Sequence, residues 1–455
     1  MGMGSLAGML KSYGYVVTGS DVGVYPPMSI QLQKLGIEVK LGYCPENLDH
    51  SPDLVIVGNA VSRNNPEVRA MLAKGLPYLS FSQALGEFFL RGKHSVVTTG
   101  THGKTTTSAL MAWLLESGRQ SPSFMIGGIV QNYGRSYQLN NGSCFVVEGD
   151  EYDSAFFDKR PKFLHYRPRT AILTSIEYDH ADIYPNLEAI EEAFCRFVNQ
   201  IPSEGLLLAC REDPRVWEIA QKASCRVETY GLDSSNSYWK AGRVKFDERG
   251  VRFLLSQGDE QVGWFHSPLW GKHNLLNALG TIGAAFDLGV SWEDIRIGLT
   301  HFKGVKKRQE VRGQEGGIVI LDDFAHHPTA VRETIAALKL SFPDRRLWAI
   351  FEPRTNTSRR KIFQNDYAHA FDLADQIIVA DVDSPQKVPP QERFSPDQLV
   401  FDLCLRGKEA IHLSGTQRII DYLGHVLKPL DVVLFMSNGD IDNIHERVLC
   451  RLREL

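Results

Sequence analysis

The sequence predicts an α/β protein of several domains, each with a mostly parallel sheet flanked by helices. Three observations carry that expectation. Short apolar runs alternate with helix-patterned stretches along the chain. Those runs end in polar or acidic residues. One of them breaks into a glycine-bearing loop and resumes as a helix, "VVTTGTHGKTTTSALMAWLL", from Val96 to Leu115. Alternating strands and helices give parallel sheets, and open sheets of this kind bind ligands at the C-terminal ends of their strands.

The elements fall into three blocks. The first, 1–93, has strands in "YVVTGSD", "DLVIVGNA" and "LPYLS" and helices in "NPEVRAMLAKG" and "FSQALGEFFLRG". The second, 94–312, opens with the glycine-loop strand. It continues through "SCFVVEGD" and "TAILTSIEYDH" and closes with the helices "HNLLNALGTIGAAFDLG" and "SWEDIRIGLTHF". Within it, the alternation from Ser224 to Trp264 predicts an antiparallel, structural insert. The third block, 313–455, supplies "GGIVILDDFAHHP", "RRLWAIFEPR", "ADQIIVADV" and "DVVLFMSNGD".

Composition bounds the function. The chain has 455 residues, 43% hydrophobic and 23% charged, enough for about two to four domains. A net charge of −4 gives no basis for a nucleic-acid partner. The 7 cysteines are scattered without a C-x-x-C, as reduced thiols of a cytoplasmic enzyme would be. No apolar run approaches the ~20 residues of a membrane span, so membrane insertion is not expected. The first residues show no basic region followed by an apolar one, so no signal peptide is expected.

The glycine loop has the parts of a phosphate cradle. Gly100 and Gly103 let the backbone turn and aim its N–H groups inward. The helix that follows points its positive end at the same place. Lys104 can reach the terminal phosphates and Thr105 can offer a hydroxyl to Mg²⁺. Thr98 stands where the longer phosphate-loop pattern has glycine, so the match is to the shorter G-x-x-G-K-T form.

Carboxylates at two further strand ends could hold the metal: Glu148, Asp150, Glu151 and Asp153 in one, Glu177, Asp179 and Asp182 in the other. His180 lies among the latter; taken alone, it reads more readily as a structural hydrogen bonder. In the third block, Asp322, Asp323, His326 and His327 fit ribose and phosphate contacts as well as a zinc pair. Lys306, Lys307, Arg308 and Arg312 read either as a solvated basic face or as a cluster that meets a γ-phosphate.

In their order, "GTHGKTTT", "EGDEYD", "IEYDHAD", "GKHNLLNAL", "KKR" and "DDFAHHPTAV" resemble the successive ATP-site motifs of the Mur ligase family, over nearly the whole chain. The resemblance implies a Rossmann-like N-terminal domain for a UDP-sugar, a central phosphate-loop ATPase domain and a Rossmann-like C-terminal ligand domain. It also implies an ATP- and Mg²⁺-dependent ligase that makes an amide through an acyl-phosphate. Carried over by position, Gly100, Thr101, His102, Gly103, Lys104, Thr105 and Thr106 would cradle ATP. Thr105 and Glu148 would hold one magnesium, and His180 a second. Asn274 and Asn277 would frame the adenine beside His273, and Arg308 and Asp323 would reach the γ-phosphate and ribose, with His326 nearby.

Within the family, "GSDVGVYPPMSIQLQKLGIEV", with Tyr25, Pro26 and Pro27, resembles the branch that recycles peptide. So do "EYDSAFFDKRPKFLHYRPRTAIL", "FEPRTNTSRR" and "MSNGDIDNIHERV". That branch joins L-alanyl-γ-D-glutamyl-meso-diaminopimelate to UDP-N-acetylmuramate; the alternative is the branch that adds L-alanine. Arg354 reads either as a grip on a substrate carboxylate or as a structural salt bridge, and Asn438, Asp440 and Asp442 are candidates to accept from the substrate's ammonium. Three departures stand out. The chain opens at "MGMGSLAGML", inside the glycine loop of relatives, so their preceding strand is expected to be missing and UDP-sugar affinity weakened. Ser175 replaces an asparagine. "SNGDID" replaces a glycine-richer run. Phe194 stands where some members carry a carbamoylated lysine, so none is expected.

Overall fold

The computed structural model describes residues 2–24, 28–180, 182–232 and 236–454. Tyr25, Pro26 and Pro27 lie outside them. The chain forms two compact units. One comprises Met1–Glu177, Leu187–Trp239 and Leu279–Gly298; the other comprises Tyr178–Asn186, Lys240–Ala278 and Leu299–Leu455.

The first unit begins with the helix Gly2–Ser12. Its N-terminal strands pair in parallel as expected, but as two separate two-stranded sheets: Thr18–Asp21 with Glu38–Leu41, and Val55–Val57 with Tyr78–Ser80. Asn65 caps the helix Pro66–Ala73 by accepting from Glu67 N and Val68 N. The expected helix "FSQALGEFFLRG" is shorter than its pattern. It runs Phe81–Leu85, held by a Ser80/Gln83 capping box, then widens into a π-turn over Gly86–Leu90. Gly86, where the change occurs, is closely approached: a Cβ there would stand 2.5 Å from the His165 carbonyl oxygen.

The unit's main sheet has the strand order Arg226–Leu232, Leu206–Cys210, Thr170–Leu173, His94–Thr99, Cys144–Gly149, Ser123–Val130, Arg135–Gln138. All neighbours are parallel except the last pair. The helix Lys104–Ser117 lies deep in this unit, with Leu110, Met111, Leu114 and Leu115 fully buried. Arg226–Leu232 is parallel to its neighbour, where an antiparallel insert was expected. The helix Pro214–Ala220, capped by Asp213, makes the connection a crossover, and a crossover returns a strand in parallel. Antiparallel pairing holds for Gly250–Gln257 with Glu260–Ser267, in the second unit.

The second unit carries a six-stranded sheet in the order Glu310–Glu315, Ile318–Asp323, Val432–Met436, Leu347–Phe351, Gln376–Ala380, Glu409–Leu413. Only the first strand is antiparallel. Both faces are covered, so the inner strands are apolar on both faces, with Asp322, Asp323 and Gln376 confined to strand ends. Leu321, Ala349, Phe351, Val379 and Leu434 pack on one face and Ile320, Trp348, Ile350, Ile378 and Val433 on the other. Burying each larger side chain contributes about 1.5–3 kcal/mol.

Candidate functional site

The strand His94–Thr99 ends in Gly100, and Gly103 precedes the helix Lys104–Ser117; their φ values of 128° and 81° suit glycine. A Cβ at Gly100 would stand 2.2 Å from Thr174 Oγ1 and 2.8 Å from the Ser175 nitrogen, so contact as well as dihedral excludes a side chain. The loop is pinned from the neighbouring strand end. Thr101 N donates to the Ser175 carbonyl at 2.8 Å, His102 N to Ser175 Oγ at 3.0 Å, and Thr174 Oγ1 to the His102 carbonyl at 2.6 Å. Ser175 thus does part of its work through the main chain, where the identity of the side chain is immaterial. His102 pairs with Glu177 at 2.9 Å, and Thr106 is buried in the first turn.

Lys104 is held from two sides. Its Nζ donates to the Gly100 and Thr101 carbonyls at 2.7 and 3.2 Å and to both oxygens of Glu151 at 3.0 and 2.9 Å. Burial pulls the ammonium's pKa down, but Glu151, Asp150 and Glu148 more than restore it and leave it above its ordinary value. Glu148 accepts from Gly127 N at 2.6 Å and from Thr105 Oγ1 at 3.2 Å. A carboxylate and a hydroxyl therefore stand together at the helix start, both hard oxygen donors of the kind Mg²⁺ takes. Phe194 is fully buried, 5.5 Å from the Phe163 ring.

The second unit gathers other sequence-predicted residues. Asn277 donates to Asn274, and Asn274 donates to the Trp270 carbonyl and to Gln309. Gln309 N in turn donates to Asp323 at 2.7 Å, and Ala325 N donates to the other Asp323 oxygen at 2.7 Å. Burial pushes the Asp323 carboxyl up to about 6, against the pull of Arg308, whose guanidinium stacks 4.6 Å from the Phe324 ring. Lys307 and Gln309 have φ of 60° and 49°, so the "KKR" turn is strained. Gln309, the link between the asparagines and Asp323, was missed by sequence reasoning; nothing but its place after Arg308 could have pointed to it.

His180 also sits in the left-handed region, at φ 56°, with its N–H donating to Asp179. Asp179 is 6% exposed and accepts from Thr357 Oγ1 at 3.0 Å. Its burial would raise the carboxyl, but His180, His326 and His327 hold it well below the carboxylate range. His327 caps the helix Pro328–Ser341 by accepting from Thr329 N, and His326 Nδ1 is 3.0 Å from the Phe324 carbonyl.

Arg354 follows the strand Leu347–Phe351 and lies between two carboxylates, Glu352 at 3.6 Å and Asp383 at 3.9 Å. Arg359 fixes Asp383 at 2.8 Å, and Ser437 donates to Glu352. Gly439 makes room: a Cβ there would fall 2.3 Å from Arg354 Cζ. Lys307 Nζ donates to the Gly439 carbonyl. Asn438 Oδ1 is buried and has no hydrogen-bond partner among the described residues. Asp442 is paired with Arg447, and Asp440 accepts from Asn443 N at 2.9 Å.

Family models match along the chain: "Mur ligase family, catalytic domain" over 1–93, "Mur ligase middle domain" over 98–285 and "Mur ligase, glutamate ligase domain" over 307–439. The UDP-N-acetylmuramate–L-alanyl-γ-D-glutamyl-meso-2,6-diaminoheptandioate ligase of Escherichia coli K12 is 39% identical, over 98% of this chain and 95% of its own length. The chain belongs to the Mur ligase family. Among solved Mur ligases, the murein peptide ligase of Psychrobacter arcticus is 35% identical with a TM-score of 0.74, covering 100% of this chain and 97% of that one. The UDP-N-acetylmuramate–alanine ligase of Thermotoga maritima superimposes at TM-score 0.82 with the same coverage, 100% and 97%, but is 25% identical. The Mur ligase fold is thus common to both, and residue identity separates them.

Proposed function

We propose that the chain is an ATP-dependent ligase that joins L-alanyl-γ-D-glutamyl-meso-diaminopimelate to UDP-N-acetylmuramate, in cytoplasmic peptidoglycan recycling. The observation that carries this reading is the 39% identity over 98% of the chain to an enzyme named for that reaction. The second reading, addition of L-alanine, has the higher TM-score of 0.82 in its favour. The seven free cysteines suit a reducing compartment, and among the described residues no helix is long and apolar enough to cross a membrane. Domains 1–93, 94–312 and 313–455 would take the UDP-sugar, the ATP and the peptide.

The roles follow the chemistry of each group. The muramyl carboxylate takes the γ-phosphoryl of ATP, leaving ADP. The peptide's α-amine then attacks the acyl carbon, phosphate leaves, and the amine proton passes to solvent. Lys104 and the loop N–H groups hold the phosphates. Thr105 and Glu148 supply oxygen to one Mg²⁺ and His180 a nitrogen to another; when bound, the metal spreads the charge of the transferring group. Asn274 and Asn277 take the base, Arg308 and Asp323 the γ-phosphate and ribose. Arg354 takes the diaminopimelate carboxylate, and the orphaned Asn438 Oδ1 accepts from its ammonium.

The test is phosphate release by the purified chain with ATP, Mg²⁺ and UDP-N-acetylmuramate, with tripeptide or L-alanine as acceptor. The tripeptide is expected to give the higher kcat/KM. A higher value with L-alanine replaces the first reading by the second, and no release with either sinks both.

A further inference from the structure

The run that marks the recycling branch, "EYDSAFFDKRPKFLHYRP", does not lie beside Arg354 in sequence or sheet. It is a hairpin of the first unit, Asp153–Ala155 against Asp158–Pro161. Its base is at the phosphate loop: Lys162 N donates to the Tyr152 carbonyl at 2.9 Å, Phe163 N to the Asp150 carbonyl at 3.2 Å, and Lys162 Nζ to Asp150 at 2.6 Å. Its tip is in the N-terminal block. Phe156 and Phe157 pack on the small core of Leu48, Val57, Val68 and Met71, and the Phe157 ring meets Tyr78 edge-on at 4.8 Å. Between the ends, Ser154 Oγ accepts from Ser82 at 2.8 Å and donates to the Arg160 carbonyl at 2.9 Å, with both serines fully buried.

Glu151 stands at the base of this hairpin, 2% exposed, with both oxygens on Lys104. An ammonium has three N–H donors. Lys104 has four acceptors in reach, Gly100 O, Thr101 O and the two Glu151 oxygens. A phosphate oxygen can gain a donor only by taking it from this set. The two carbonyls belong to the loop; Glu151 is charged, arrives from another strand end, and opposes a polyphosphate across a shared ammonium.

We infer that Glu151 is a positioning residue that latches Lys104 against the nucleotide, and that the hairpin Asp153–Pro161 sets this latch from the N-terminal block. The inference rests on the phosphate-loop reading above. It makes nucleotide affinity depend on the seating of two phenylalanines in the block assigned to the sugar, and such coupling is reciprocal. It also assigns the branch-marking run to nucleotide release rather than to peptide selection.

The test is calorimetry of ADP with Mg²⁺ on the full chain. Glu151→Gln is expected to tighten ADP about fivefold to tenfold and to lower kcat and the KM for ATP together. Phe157→Ala is expected to act in the same direction, more weakly. The double variant should be no tighter than Glu151→Gln alone, because both act through one contact. Unchanged or weaker ADP binding by Glu151→Gln overturns the latch. Wild-type affinity in Phe157→Ala, or additive effects in the double variant, overturns the hairpin's part. If Phe157→Ala does not fold, Ser154→Ala removes one hydroxyl from the same hairpin and is read the same way. A wild-type chain that binds no ADP overturns the phosphate-loop reading itself. The choice between tripeptide and L-alanine has no bearing on the outcome.

Discussion

Lys104 and Arg354 are two cations at strand ends, each set among acidic residues, and they are held very differently. Lys104 is 16% exposed and sits within 3.0 Å of both Glu151 oxygens, with two loop carbonyls closing around it. Arg354 is 33% exposed, and its carboxylates stand at 3.6 and 3.9 Å, beyond hydrogen-bond length. The tight clamp leaves an ammonium whose donors are already used; a ligand there has to compete. The loose one leaves a planar fork whose charge is balanced while its directional donors remain available for a carboxylate. One arrangement suits a group that is gripped and released in every cycle, the other a group that reads shape.

The comparison can be broken most severely at its tight end. Lys104→Ala should abolish amide formation, by roughly a thousandfold or more, with an unchanged circular dichroism spectrum. Near-normal product in a phosphate-release assay would remove Lys104 from the chemistry. At the loose end, Arg354→Lys keeps the charge and loses the fork. It should cost about 10- to 100-fold in kcat/KM for the tripeptide, the worth of a charged hydrogen bond, and leave the KM for ATP alone. If both constants moved equally, Arg354 would be a general structural residue.

A finer perturbation reaches Arg354 without altering a charge. Gly439→Ala places a methyl group on the guanidinium, the mobile end of a long side chain, so it should shift Arg354 rather than unfold the unit. A rise of about tenfold or less in the KM for the tripeptide, with the melting temperature nearly kept, is the expected result. Competition by free diaminopimelate would measure it independently.

The smallest expected effect contrasts these cation-held carboxylates with Asp323, which is held by two backbone N–H groups. Its carboxyl titrates near 6 in the folded chain, above the unfolded value of about 4. The folded state therefore binds the proton more tightly. The associated stability is fully present below about pH 4 and is lost as pH rises through about 6. Between pH 4 and 7 the wild type should lose a few degrees of melting temperature relative to Asp323→Asn, read by scanning calorimetry. Parallel curves for the two would contradict the raised value.

What could be read in advance follows from how each site is assembled. Gly100, Gly103, Lys104 and Thr105 lie in one short run, so spacing alone pointed to a phosphate cradle, whereas Glu148 was one of four acids in its run until the family resemblance singled it out; the structure pairs its strand with the loop's own. The surroundings of Arg354 come from Glu352, Asp383, Ser437 and Gly439, which meet only because Leu347–Phe351 lies between Val432–Met436 and Gln376–Ala380. No local pattern encodes that order. The same holds for Glu151, one of several acids in a short run, whose grip on Lys104 depends on the hairpin behind it. The sheet class was legible because covered strands must be apolar throughout. The division of the N-terminal sheet was not, because it concerns which strands find each other.

Gly100 has a consequence for how this loop can change over descent. Two separate barriers act on one position, a φ of 128° and the Ser175 main chain 2.8 Å from any added Cβ. Shortening Thr174 would remove the side-chain obstacle and leave both barriers standing, so no compensating neighbour can release the position. Ser175 is bound less strictly: its carbonyl serves Thr101 whatever side chain it bears, while its Oγ accepts from His102 N, so the position asks only for a side chain that can accept. A library randomised over both positions and selected for ligation should return one residue at 100 and several, all able to accept a hydrogen bond, at 175.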